Sequence, residues 1–118
     1  MPRLTTRLHI EYRRSDDILF ATTSPGKAAE SDVAAPDFYV HFDPDTGSPI
    51  GFECLDFSEH VQDPEWLRSL PDLGVFSPEG SHERMTLAET LVYLWRHIRE
   101  VAEGDRIETP FDAELATT

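Results

Sequence analysis

The chain has 118 residues, 39% hydrophobic and 10% aromatic, enough for one globular domain with its own core. Ten Lys and Arg against 23 Asp and Glu leave a net charge of −13, a balance that repels nucleic-acid phosphates and anionic membranes. The single cysteine, Cys54, excludes an internal disulfide framework and a metal–thiolate cluster.

Met1-Pro2-Arg3-Leu4-Thr5-Thr6-Arg7 has no apolar run behind its charges, so it does not read as a secretory signal. No stretch reaches the roughly 18 apolar residues that cross a bilayer. A cytoplasmic protein is predicted. The acid is spread along the chain: residues 1–59 carry 5 basic and 11 acidic side chains (−6), residues 60–118 carry 5 and 12 (−7). Such a surface keeps the protein in solution; it also suits a basic partner or imitation of a phosphate backbone.

Leu8, Ile10 and Tyr12 alternate with His9, Glu11 and Arg13, which predicts a first strand near 5–13. Arg14-Ser15-Asp16-Asp17 is a turn, and Ile18 to Thr23 reads as a second strand, antiparallel to the first. Residues 24–36 are rich in Pro, Gly, Ala, Ser and charge and predict a mobile loop. Phe38 to Phe42 and Ile50 to Phe57 then flank Asp43-Pro44-Asp45-Thr46-Gly47-Ser48-Pro49, the signature of a β-hairpin. Asp43 and Asp45 suit the turn by bonding its backbone, Gly47 by taking positive φ; Gly51 is grouped with them as a structural turn residue.

Asp63-Pro64-Glu65 opens a short helix that Pro71 confines to 65–70. Leu73, Val75 and Phe76 form an apolar patch before the Ser77-Pro78-Glu79-Gly80 turn. Thr86-Leu87-Ala88-Glu89 fits a capping box. Behind it Leu87, Leu91, Leu94, Ile98 and Val101 form one apolar stripe, predicting a helix over 86–103 stopped by Gly104. Val92 and Tyr93 fall outside the stripe and Trp95 flanks it, so these three are the candidate interface. The tail after Ile107, residues 108–118, is predicted to be loose.

The hairpin and its preceding strands resemble the bacterial family known as domain of unknown function 2283. Tyr12 falls on the family's first-strand Tyr, and Asp17-Ile18-Leu19-Phe20 on its second element. Val40-His41-Phe42-Asp43, Gly47 and Ile50-Gly51-Phe52-Glu53-Cys54-Leu55-Asp56 fall on its third. Arg13 and His41 replace acidic positions, the 24–36 loop is longer, and the match covers about residues 8–60 only. The resemblance implies a small antiparallel β-meander and supplies neither an activity nor catalytic residues.

Three constellations invite chemistry. A calcium loop starting at Asp43 would need Gly and Glu where the chain has Ser48 and Cys54, so the turn reading is preferred. His9, Glu11 and His41 would hold a metal if their strands were neighbours, though their spacing is no ligand signature and no cofactor is predicted. Cys54 sits at an apolar position and reads as a buried small hydrophobe, not a nucleophile.

The predicted architecture is α+β. A single domain over 1–107 comprises a four-stranded antiparallel meander (8–60) packed against a long C-terminal amphipathic helix and a short middle helix (63–104). The predicted function is a non-enzymatic protein–protein interaction module, a small accessory or regulatory subunit that favours a basic protein partner and forms a homodimer. It binds neither nucleic acid nor membrane. The alternatives are an acidic, antitoxin-like inhibitor that mimics nucleic acid, and a small metal-binding enzyme.

Overall fold

Alternating apolar side chains mark some of the strands, and the computed structural model shows these together with strands that carry no such alternation. It describes residues 5–101 and 103–116, so the first residues of the predicted domain, residue 102 of the predicted helix and the last two of the predicted tail lie outside it. The strands are β1 (Thr6–Arg13), β2 (Ile18–Thr22), β3 (Glu30–Ala35), β4 (Phe38–Phe42), β5 (Pro49–Cys54), β6 (Gly74–Pro78) and β7 (Arg106–Leu115). The helices are α1 (Phe57–His60), α2 (Pro64–Ser69) and α3 (Leu87–Glu100). All strands join one seven-stranded antiparallel sheet in the order β3-β4-β5-β2-β1-β7-β6.

The four-stranded meander closed by a C-terminal helix is therefore overturned. The four expected strands are present as β1, β2, β4 and β5, but β3, β6 and β7 join them, and β7 follows the long helix. Residues 108–115, expected to be loose, lie in β7, which pairs with β1 over eight positions from Thr6↔Ala113 to Arg13↔Arg106 and with β6 on its other side. The short middle helix is α2, and α1 precedes it unannounced.

One face of the sheet holds the core. Leu8, Ile10 and Tyr12 from β1, Leu19 and Ala21 from β2, Phe38 and Val40 from β4, and Phe52 and Cys54 from β5 are buried there. Phe76 from β6 and Ile107, Phe111 and Ala113 from β7 complete it. Against these side chains α3 places Leu87, Leu91, Leu94 and Ile98, four of the five residues of the predicted stripe, while α1 contributes Phe57 and α2 Trp66. The capping box forms as read, Glu89 N–H donating to Thr86 Oγ1 and Thr86 N–H to Glu89 Oε1. The helix ends at Glu100, and its C-cap Val101 is already extended.

Phe52 and Phe76 have ring centroids 6.3 Å apart although three strands separate β5 from β6. A flat sheet would place those strands roughly 19 Å apart, so this one coils around its helical layer.

Candidate functional site

The strand pleat that buries one set of side chains turns the alternate set outward, and among the described residues no helix covers that second face. Two rows cross it, fixed by register. One runs Tyr39, Glu53, Phe20, Glu11 and Glu108; the other runs Ser31, His41, Gly51, Thr22, His9 and Pro110. Phe20 stays 36% exposed, an uncommon position for a phenylalanine. Beside it a groove of about 770 Å³ lies over the outward face of β2, β1 and β7, walled by Pro25, Gly26 and Glu79 and floored by His9, Phe20 and Pro110. That size matches ordinary small-ligand and peptide-anchor pockets, of roughly 300–1,000 Å³.

Ion pairs order the groove's polar groups. Glu11 accepts from the Arg106 guanidinium and, at 3.3 Å, from Arg13 Nε; Arg7 reaches Glu79 at 2.9 Å across the mouth. The three arginines are each at least half exposed, so each pair contributes about 0–1 kcal/mol and mainly fixes geometry.

The register separates the metal candidates. His9 and His41 share a row, but Thr22 and Gly51 stand between them, and three strand spacings come to roughly 14 Å. Glu11 is engaged by its arginines. Among the described residues no group of three His, Cys, Asp or Glu side chains is placed to hold a metal ion. His41 instead bonds Ser31 Oγ through Nδ1 at 2.6 Å and packs its ring against Phe20, centroids 5.6 Å apart. Its Nε2 is enclosed, with Glu53 Oε1 at 3.9 Å, beyond hydrogen-bond reach.

Asp43 spends both carboxylate oxygens on the protein: Oδ1 accepts from Asp45 N–H at 2.8 Å and Oδ2 from Lys27 Nζ at 2.7 Å. Lys27 foremost, then the Asp45 amide, holds the Asp43 carboxyl below its ordinary range. Gly47 takes a φ of 74° and donates to Asp43 O, closing the turn. Gly51 lies within β5, not in the turn; a Cβ there would overlap the Ala21 carbonyl oxygen on β2. Cys54 faces the core and is fully buried; burial, reinforced by Asp17, Asp37, Asp56 and Glu53, pushes its thiol up to about 12.

The three candidate interface residues do not share one surface. Val92 and Tyr93 border a shallow cleft with Leu67 and Met85, Val92 partly packed on the core and Tyr93 set edge-on to Phe111 at 5.6 Å. Trp95 lies roughly 200° around the helix from Tyr93. It packs on Phe57 at 6.1 Å, with the Arg99 guanidinium over its ring.

Two polar nodes escaped the sequence reading. Tyr12 Oη donates to Asp17 Oδ1 at 2.6 Å, and Ser58 donates to the same carboxylate from its backbone N–H and, at 2.6 Å, from Oγ, tying α1 to the β1–β2 turn. His60 Nε2 meets Asp37 Oδ2 at 2.8 Å while its ring stacks on Trp66. Asp17, Asp37 and Asp56 all have positive φ, which Asp tolerates better than most residues; an Asp at each strand end was the available signal. No family model matches the chain, and no curated protein or solved structure matches it either.

Proposed function

We propose that this protein is a non-enzymatic interaction module, a small cytoplasmic accessory or regulatory subunit, and that it meets its partner through the uncovered face of the sheet. One observation carries the reading: the helices pack on one face of a seven-stranded sheet and leave the other without a helical layer, with Phe20 exposed beside an open groove. Exposed aromatics beside ordered charges are the composition of protein interfaces. The mixed signs of the groove, Arg7 and Arg106 against Glu11, Glu79 and Glu108, fit a protein surface better than a phosphate mimic, which needs one sign throughout.

The test is capture from the native host with the wild-type chain and Phe20→Glu as baits, each checked for an unchanged melting temperature. A defined partner held by wild type and lost with Phe20→Glu is the expected result. Capture lost with Tyr93→Ser and kept with Phe20→Glu would move the surface to α3. Binding that collapses with rising salt whichever bait is used would favour the phosphate-mimic reading instead.

A further inference from the structure

The two edges of the sheet are finished differently. At the β6 edge Phe76 exchanges both backbone hydrogen bonds with Met85, N–H to O at 2.9 Å and 2.8 Å, so the segment before α3 seals it. At the opposite edge, among the described residues, β3 pairs with β4 alone, and Glu30, Ser31, Asp32, Val33 and Ala34 are all exposed. Only Ala35 of this strand is buried. Val33, on the uncovered face beside Tyr39, is 68% exposed. An ordered strand that buries almost nothing is held by one ladder, and its outer N–H and C=O groups are a template for another strand.

Charge says which strand. Residues 28–67, which include β3, β4, β5, α1 and the first four residues of α2, hold ten Asp and Glu and not one Lys or Arg. That stretch alone accounts for −10 of the net −13. Glu30 and Asp32 stand on the edge itself, and the bordering Lys27 is engaged by Asp43. A second copy would bring Glu30 and Asp32 against the same acids, so self-pairing is opposed; a basic strand is attracted.

We infer that the free edge of β3 accepts an extended lysine- or arginine-rich segment of a partner protein as an added strand. The register break between Val33 and Ala35 limits the regular run to Glu30–Val33. Backbone pairing supplies the grip, the acids select the charge, and Val33 offers an apolar contact to alternate side chains. This rests on the reading of the protein as an interaction module and adds a second surface, distinct from the Phe20 face.

The probe is a synthetic peptide of about eight residues alternating lysine with valine, long enough to span the edge. It is compared with the same peptide N-methylated at alternate residues, which keeps the charge and loses the ladder donors. Wild type should bind the first peptide and gain amide-exchange protection across Glu30–Val33. The N-methylated peptide, and the Glu30→Lys/Asp32→Lys variant with its melting temperature retained, should each bind at least roughly tenfold more weakly. Phe20→Glu should bind the peptide as wild type does, so a failure of the Phe20 face leaves this result standing. Absence of peptide binding at low salt, or equal binding of the N-methylated peptide, would overturn the proposal. So would a wild-type dimer whose β3 amides are already protected, since the edge would then belong to a second copy.

Discussion

Gly51 shows how tightly a single position is constrained. It sits between Thr22 and His41 on the uncovered face, where any Cβ would strike the backbone of β2 at Ala21. Backbone cannot swing aside as a side-chain tip can, so Gly51→Ala should destabilise the fold by about 2 kcal/mol, read as a lower urea midpoint with an unchanged slope. An unchanged midpoint would show that β2 and β5 have room to separate. Asp43 gives a pH-dependent counterpart. Its carboxyl is held below the ordinary 3.8 by Lys27 and the Asp45 amide, so its contribution is complete above that value and lost as acid protonates it at lower pH. Carboxyl-carbon NMR should place the Asp43 midpoint below 3.8, and Lys27→Met should move it upward; a midpoint indifferent to Lys27 would disconnect the 24–29 loop from the hairpin turn.

At the scale of elements, β7 decides whether there is a fold at all. It covers β1 along its whole length and gives β6 its partner strand, so a chain ending at Gly104 would expose Leu8, Ile10 and Tyr12 on an open edge and leave β6 with only its Phe76–Met85 bridge. Such a chain should lose its cooperative thermal transition and its near-ultraviolet circular dichroism. A truncated chain that still melts sharply would return β7 to the status of an appendage. α3 is sensitive in a different way: Leu94 is fully buried, so Leu94→Ala should cost about 2–5 kcal/mol through lost contacts and the cavity left behind. Chemical denaturation of the full chain measures it, and a loss under about 1 kcal/mol would mean the helix settles into the gap.

The whole molecule carries its charge unevenly, and salt should reveal it. With −13 overall and −10 within residues 28–67, repulsion among like charges outweighs the exposed ion pairs, which contribute little each. Raising sodium chloride from about 0.01 to about 0.15 M shortens the screening length from roughly 30 to 8 Å, and the melting temperature should therefore rise. A fall would mean that attractive pairs such as Arg106 with Glu11 dominate.

The sequence by itself determined the elements whose pattern is local. The α3 capping box and the stripe from Leu87 to Ile98, the Asp63 cap of α2, the β4–β5 hairpin and the alternation of β1 each depend on side chains a few residues apart, and each is where the pattern put it, although α3 stops at Glu100 and β5 at Cys54, short of the predicted ends. β7 was legible too: Ile107, Thr109, Phe111, Ala113 and Leu115 alternate with Glu108, Pro110, Asp112 and Glu114, and only Pro110 argued against a strand. Its missing N–H costs little, because Pro110 O accepts from Glu79 and so faces the side where β6 has already ended. β3 and β6 were decided by tertiary structure. β3 has one buried residue and β6 is a five-residue run that begins at Gly74 and ends at Pro78, so neither carries a period of its own; backbone bonds to β4 and β7 make them strands. The same holds for the candidate site. His9, Glu11 and His41 share a face by simple alternation, but strand order, which no local pattern encodes, set β5 and β2 between the histidines and gave Glu11 to arginines from β1 and β7.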